Sequence, residues 1–179
     1  MYKRQVLALV APSSVGLLVE VKAPGPGPRW ERRDGTVRPL DAPRYEGIEE
    51  RVLASLARSR MASRASVMAF DPAVVARVRA LAPAQQTTLL VGGGDLAHVA
   101  ASPVDSVAWA CEAGATSLGL AHSLVDAAVV GAARAAGLML GVWTVDAQGE
   151  MRRLAALGVD EITTDRPDVA RQLFDGEAA

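Results

Sequence analysis

The chain has 179 residues, of which 50% are hydrophobic, and its formal net charge at pH 7 is −1. This composition is typical of one folded domain with a sizeable core, and the near-neutral charge argues against partners such as nucleic acid or an anionic membrane surface. A single cysteine, Cys111, excludes an intramolecular disulfide and a zinc site built from several cysteines.

The chain starts with MYKRQVLALVAPSS, an amphipathic pattern with a basic start and a short apolar run. The run is too short for a secretion signal or for a helix that spans a bilayer. We therefore expect an amino-terminal amphipathic helix, a cytoplasmic location and no stable insertion into a membrane.

The next pattern, LLVEVK at 17–22, predicts a strand that carries two charges. Side chains alternate between the faces of a strand, so Glu20 and Lys22 share one face with Leu18. Burying an unpaired charge is costly. The pair therefore indicates either a functional site on that face or a salt bridge on the solvent face of an edge strand, and this stretch alone does not choose between them.

Residues 23–44 are rich in proline, glycine and charge and predict an irregular loop after the first strand. Arg29, Arg32 and Arg33 alternate with acidic residues, which favours a solvated loop over a binding patch. Functional loops of α/β proteins follow the carboxyl ends of strands, so the segment could also form a lid. A variable loop is the commoner case.

After this loop, strand patterns alternate with helical patterns. A helix is predicted near 45–62, strands over 65–70, 87–92, 116–122, 139–145 and 160–165, and a last helix over 167–174. Together with 17–22 this gives six strands, most of them separated by segments long enough for crossovers. The pattern predicts an α/β fold with a parallel sheet.

Glycines and short polar residues mark the ends of the predicted helices. Asp and Ser side chains accept hydrogen bonds from the free N–H groups of a first turn, and glycine adopts the left-handed conformation that ends many helices. We predict four caps and three stops on this basis: Asp71, Ser102, Ser123 and Asp146 as caps, and Gly114, Gly137 and Gly158 as stops.

Two α/β architectures are compatible with six strands. The segment GGGDLA at 92–97 fits the G-x-G-x-x-A pattern of a doubly wound nucleotide-binding sheet. That fit is poor beyond the glycines, because no helix is predicted to start at once and no acidic residue follows at the spacing of a ribose contact. The other architecture is a (β/α) barrel of about 250 residues and eight units, of which this chain would hold about six.

Three segments together resemble the glycerophosphodiester phosphodiesterase family: LLVEVK, MAFDPAVVARVRALAP and GLMLGVWTVDAQGEMRRLAALGVDEITTDRP. The most specific parts are E-x-K on a strand, W-T-V-D at a strand end, and G-V-D-x-I-x-T-D-x-P at the last strand. The resemblance covers about residues 7–174 and implies a TIM barrel whose third to eighth strands are present. We therefore predict a single, incomplete barrel domain over 1–179, truncated at its amino end.

The resemblance also implies a site. Glu20 would be a ligand of a divalent cation, magnesium or calcium, Lys22 would face the substrate phosphate, and Trp143 would line the pocket wall. These residue types suit those roles, because hard cations prefer oxygen ligands, lysine is a point charge for phosphate, and tryptophan offers a flat apolar surface. The implied substrate is a small glycerophosphodiester, which the family hydrolyses to glycerol 3-phosphate and an alcohol.

The family's H-R-G, P-E-N-T, E-x-D and H-D motifs, which supply its catalytic histidines and its other metal carboxylates, are missing from the sequence. His98 and His122 match no catalytic position of the family. No catalytic residue is identifiable, so we expect weak metal binding and no hydrolysis by the chain alone. We expect His122 to have a capping or surface role.

Further expectations concern the function and the assembly. An incomplete barrel has open sheet edges, which predicts self-association. The alternative function is a non-catalytic module that binds a phosphate or another ligand in the barrel pocket. A nucleotide-binding oxidoreductase is a more distant alternative.

Overall fold

The structure is a computed structural model that describes residues 2–25 and 27–174. The strands in this range are β1 (Leu17–Glu20), β2 (Trp30–Arg33), β3 (Thr36–Pro39), β4 (Ala65–Ala69), β5 (Gln86–Val91), β6 (Ser117–Ala121), β7 (Met139–Trp143) and β8 (Glu161–Ile162). The helices are α1 (Tyr2–Val10), α2 (Ile48–Arg58), α3 (Pro72–Leu81), α4 (Gly93–His98), α5 (Asp105–Glu112), α6 (Ala127–Ala135), α7 (Gln148–Leu157) and α8 (Pro167–Phe174), with 3₁₀ turns at Ala62–Arg64 and His122–Leu124.

Six of the described strands form one sheet in the order β1-β4-β5-β6-β7-β8, and every neighbouring pair in it is parallel. The order follows the chain without a reversal, as in a barrel with a helix after most strands. The predicted six-stranded α/β barrel fragment is confirmed. The doubly wound alternative is wrong, because such a sheet reverses its strand order at the nucleotide site.

The sheet is curved so that its two end strands face each other. A cavity of about 450 Å³ is lined by Leu17 and Leu18 of β1 and by Glu161 and Ile162 of β8, together with residues from β4 and β5. Over the described residues, β1 pairs only with β4 and β8 pairs only with β7. The sheet is therefore an open barrel with a gap between its first and last strands.

The hydrophobic core lies between the outer face of this sheet and the helices. Leu118 and Leu120 of β6 point to that face and are fully buried. The inner face is less covered: Leu18 is 48% exposed and Met139 is 42% exposed. This difference follows from the gap, because a closed barrel fills its interior with side chains from all of its strands.

The predicted helix stops are confirmed, since the three glycines have φ between 69° and 88° just after α5, α6 and α7. Of the predicted caps, Asp71 is confirmed: its Oδ1 accepts a hydrogen bond from the Ala73 N–H of α3 at 2.9 Å. The predicted caps Ser102, Ser123 and Asp146 are wrong, because none of them caps the helix that follows it.

Ser123 lies within a 3₁₀ turn, and Asp126 caps α6 instead by accepting from the Val129 N–H at 2.9 Å. Ser102 lies before a further turn, and its own N–H and hydroxyl donate to the Asp105 carboxylate. These serines were misassigned because the chain makes an extra turn between each of them and the following helix.

Asp146 binds the neighbouring strand end rather than its own helix. Its Oδ1 accepts hydrogen bonds from the Thr164 hydroxyl at 3.0 Å and from the Asp165 N–H at 2.9 Å. Helix α7 begins two residues later without a side-chain cap. Asp146 therefore connects the segments that follow β7 and β8.

Residues 23–44, predicted to be an irregular loop, contain the antiparallel hairpin β2–β3. Trp30 of this hairpin is buried and stacks on Trp109 of α5, with ring centroids 4.4 Å apart. Arg32 donates to the Val99 and Ala100 carbonyls at 2.7 Å and 3.2 Å. The hairpin is ordered by these long-range contacts, which local composition does not reveal.

The glycine-rich segment after β5 also differs from the prediction, because the short helix α4 starts immediately after Gly92. Helix α1 confirms the amphipathic amino-terminal helix. In the part of the chain that the structure describes, no helix combines the length and the apolar character that crossing a bilayer requires.

Candidate functional site

A cavity of about 280 Å³ lies where the carboxyl ends of β1, β4 and β5 meet, and we call it the β1 cavity. In barrels of this kind functional groups gather at this end of the strands. Its lining comes from the end of β1, the following loop, the residues after β4 and helix α4: Glu20, Val21, Lys22, Ala23, Gly25, Gly27, Arg29, Phe70, Asp71 and Asp95.

Glu20 and Lys22 lie two residues apart at the end of β1 and both line the β1 cavity. Lys22 Nζ donates to both carboxylate oxygens of Glu20, at 2.9 Å and 3.0 Å. The Lys22 side chain is 77% exposed and that of Glu20 is 32% exposed. The two residues thus form an exposed salt bridge, as one interpretation of the sequence predicts, and they also line a cavity, as the other predicts.

Two more carboxylates line the cavity, and each holds the start of a helix. Asp71 is buried as the cap of α3, and its second oxygen, Oδ2, has no hydrogen-bond partner among the described residues. Asp95 Oδ2 accepts from the Gly92 N–H at 2.9 Å. Asp71 was predicted as a helix cap, but nothing in its local pattern indicated that it also faces a cavity.

Trp143 lies at the end of β7, and Phe70 rather than Trp143 is among the residues that line the β1 cavity. The two rings meet edge to face with centroids 5.6 Å apart. A Cβ added to Gly92 would contact both rings and Asp95, at 3.5–3.9 Å. Trp143 therefore stands against the aromatic wall of the cavity, and its buried Nε1 has no hydrogen-bond partner among the described residues.

Arg29 is a charged lining residue that the sequence interpretation assigned to a solvated loop. Its position in a charged loop predicted a solvated side chain, yet it is only 8% exposed. The hairpin folds back over the end of the sheet and carries Arg29 to the cavity. The aromatic residue beside it, Trp30, was the one available signal, since a tryptophan in a charged loop often anchors it.

The described residues do not fit the divalent cation that the resemblance implies. They contain no group of three or more His, Cys, Asp or Glu side chains placed to hold a metal ion. Around the β1 cavity, Glu20 accepts from Lys22, and Asp71 and Asp95 each accept from a backbone N–H. A calcium or magnesium site normally needs several oxygen ligands, so the role of Glu20 as a metal ligand stays a prediction.

A second group of charges lies at the same end of the sheet, after β6, and we call His122, Glu150 and Arg153 the β6 cluster. Glu150 Oε1 is 3.0 Å from His122 Nδ1, and its two oxygens accept from Arg153 at 2.7 Å and 2.8 Å. The hydrogen bonds from Arg153 and then from His122 lower the pKa of Glu150 from 4.5 to about 2. His122 is thus bound to a helix side chain, and the other histidine, His98, is exposed at the end of α4.

The family model and the similar solved structures point to the same protein family. Residues 36–169 match the model of the glycerophosphoryl diester phosphodiesterase family. A protein from Silicibacter pomeroyi DSS-3 assigned as a glycerophosphoryl diester phosphodiesterase is 30% identical over 73% of this chain and 44% of its own, with a TM-score of 0.63. No curated protein matches the chain.

Two further solved structures share the fold. One, from Agrobacterium tumefaciens str. C58, carries the same assignment and is 24% identical over 99% of this chain and 65% of its own, with a TM-score of 0.77. The other is a phosphodiesterase from Oleispira antarctica in complex with the product sn-glycerol-3-phosphate, 14% identical over 96% of this chain and 90% of its own, with a TM-score of 0.60. The chain spans 44% and 65% of the first two proteins.

Proposed function

Because this chain belongs to the glycerophosphoryl diester phosphodiesterase family, we propose that it binds the phosphate group of a glycerophosphodiester in the β1 cavity and does not hydrolyse the ester by itself. Lys22 contacts the phosphate, and Trp143 supports the cavity wall through Phe70. Glu20 would supply one oxygen ligand to a divalent cation, which we expect to bind weakly because the described residues offer no complete ligand set.

The observation that carries the proposal is the Glu20–Lys22 pair at the carboxyl end of β1, open to a cavity. Since the Lys22 side chain is 77% exposed, its ammonium group can move from Glu20 to a ligand phosphate with little loss of hydration. A lysine binds phosphate as a point charge on a flexible stem, without a fixed direction.

The relative from Oleispira antarctica, whose structure holds sn-glycerol-3-phosphate, supports the choice of ligand. Its sequence identity of 14% carries the fold alone, so the transfer of its ligand to this chain is part of the proposal. Phe70, held in place by Trp143, would contact the carbon atoms of such a ligand.

We propose that the chain does not hydrolyse the ester because no histidine among the described residues of the cavity lining can act as general acid or base. His122 lies outside that lining and is bound to Glu150. General acid and base catalysis needs a group within hydrogen-bond reach of the reacting oxygen.

Calorimetric titration with sn-glycerol 3-phosphate, with and without Mg²⁺ or Ca²⁺, tests the binding. Lys22→Gln is expected to weaken it by about tenfold, which corresponds to about 1.4 kcal/mol. Arg38→Gln is the matched control, since it removes a positive charge from exposed β3 outside the cavity lining. Absence of binding to the unmodified chain would contradict the proposal.

Incubation with glycerophosphocholine and Mg²⁺ or Ca²⁺ tests the second half of the proposal. We expect no release of glycerol 3-phosphate by the purified chain and only weak metal binding. Metal-dependent turnover that Glu20→Gln abolishes would show that the chain holds a complete catalytic site.

We also propose that the chain self-associates. In the described range β1 and β8 are sheet edges, and unpaired edge strands recruit other strands. Light scattering after size exclusion should show species larger than 18.6 kDa whose share grows with concentration. A monomer at all concentrations would contradict this.

A further inference from the structure

Arg29 is the buried cation among the described residues that line the β1 cavity. Arg29 is 8% exposed, whereas the ion pair of Glu20 and Lys22 at the same cavity is accessible to solvent. Placing a guanidinium in such a position is costly unless its N–H groups find partners. The N–H groups of Arg29 therefore need hydrogen-bond partners, from the protein or from a ligand.

The protein satisfies only a small part of the Arg29 guanidinium. Its one hydrogen bond among the described residues runs from Nη2 to the Gly25 carbonyl at 3.1 Å, and within the same residues no carboxylate lies within ion-pair distance of it. Arg32, on the same hairpin, instead donates to three backbone carbonyls. Since a guanidinium has five N–H donors, Arg29 has donors left for a ligand in the cavity.

Each carboxylate that lines the cavity accepts at least one hydrogen bond from within the protein. Glu20 accepts from Lys22, Asp71 from the Ala73 N–H and Asp95 from the Gly92 N–H. Asp71 is also buried, and its Oδ2 has no partner among the described residues, but a carboxylate offers only acceptors. Arg29 is thus the one buried lining side chain, among those described, with hydrogen-bond donors left for an anion.

The fold holds Arg29 in place from both sides. Its carbonyl accepts from the Leu40 N–H at 2.8 Å within the hairpin, and the next residue, Trp30, stacks on Trp109. An anchored backbone lowers the entropy that the side chain loses when it binds a ligand.

We propose that Arg29 is the anion-recognition residue of the β1 cavity and binds the phosphate group of the ligand through its paired N–H groups. The inference rests on the proposed function of the cavity and assigns a binding residue to the 23–44 segment. A guanidinium matches two phosphate oxygens at once and stays charged at all physiological pH values. Lys22 then acts as the second, mobile positive charge.

The test is titration of the full chain with inorganic phosphate and, separately, with sn-glycerol 3-phosphate. Arg29→Gln should weaken binding of both by about tenfold or more, and Arg29→Lys should weaken both by a smaller factor, because it keeps the charge but loses the second contact. Arg33→Gln, which removes an exposed charge from the same hairpin, should stay within about twofold of the unmodified chain.

Thermal unfolding with and without phosphate separates binding from a structural role. A ligand that binds only the folded state raises the melting temperature, so the unmodified chain and Arg33→Gln should gain stability from phosphate and Arg29→Gln should not. A variant that is destabilised by the same amount with and without phosphate would assign Arg29 a structural role and overturn the inference.

The outcomes also separate this inference from the proposed function. If Lys22→Gln loses phosphate binding and Arg29→Gln does not, the cavity binds phosphate but Arg29 is not its recognition residue. If Arg29→Gln does not fold, unchanged binding by Arg29→Lys overturns the bidentate contact. If the unmodified chain binds neither probe, both proposals fail.

Discussion

The β1 cavity and the β6 cluster lie at the same end of the sheet but treat their charges differently. In the β6 cluster, Glu150 is bonded by both of its neighbours, and Arg153 also donates to the Val125 carbonyl at 3.2 Å. In the β1 cavity, Arg29 and Asp71 keep unused donors or acceptors next to an open volume.

This difference indicates which charged side chains at the carboxyl ends of the strands are candidates for binding a ligand. In the β6 cluster both oxygens of the Glu150 carboxylate are bonded by protein groups, so this carboxylate contributes to stability and is not free for a ligand. An unsaturated group beside a cavity costs stability unless a ligand completes it. Stability measurements on matched variants of the two regions therefore test the distinction.

The largest expected effect compares one leucine on β6 with one leucine on β1. Leu118→Ala should lower the free energy of unfolding by about 2–5 kcal/mol, because Leu118 is fully buried and its loss leaves a cavity. Leu18→Ala should cost less than about 1 kcal/mol, since Leu18 is 48% exposed. Urea denaturation measures both, and equal costs would mean that the β1 side is as well packed as the β6 side.

The helix caps give the next comparison. Asp126→Ala should cost about 0.5–2 kcal/mol, because it removes the acceptor for the Val129 N–H. Asp71→Ala removes an equivalent bond but also a buried oxygen without a partner, so its cost should be smaller. Ser123→Ala, a variant without a capping bond to lose, is the control and should stay within about 0.5 kcal/mol.

The pH dependence of stability should separate Glu150 from ordinary surface acids. At pH 7, Glu150→Gln is expected to lower the free energy of unfolding by about 1 kcal/mol. The folded-state pKa of Glu150, about 2, lies below its ordinary value of 4.5. Its contribution is therefore complete above about pH 5 and is lost as the pH falls toward 2.

The unmodified chain and Glu150→Gln should accordingly differ at pH 7 and converge as the pH is lowered. Denaturation midpoints at several pH values between 7 and 3 provide the measurement. Asp168→Asn is the control, because Arg166 lowers the pKa of Asp168 but both side chains are exposed. A constant difference between Glu150→Gln and the unmodified chain at all pH values would contradict the assignment.

The smallest expected effect concerns the Glu20–Lys22 pair. Either Glu20→Gln or Lys22→Gln should change the free energy of unfolding by less than about 0.5 kcal/mol, because exposed ion pairs contribute little. Chemical denaturation without ligand is the measurement. A large loss of stability would make the pair a structural element like the β6 cluster.

The sequence by itself determined the succession of the six strands of the large sheet and of most helices between them, but neither the hairpin β2–β3 nor the helix α4. Hydrophobic periodicity and glycine stops are local signals, and the three glycines end their helices as predicted. The alternation of a strand also placed Glu20 and Lys22 together at the end of β1. The resemblance added the family, because its three most specific motifs lie, in chain order, at β1, β7 and β8.

Only the tertiary structure decided which side chains surround the cavity. Arg29 is buried because Trp30 stacks on Trp109, 79 positions further along the chain, and Phe70 lines the cavity in front of Trp143 because β4 and β7 curve toward each other. Such contacts depend on how distant elements pack against each other, so the sequence pattern of a single segment does not predict them. Local pattern therefore gave the order of the strands in the large sheet, and long-range packing formed the hairpin β2–β3 and selected the residues that a ligand can reach.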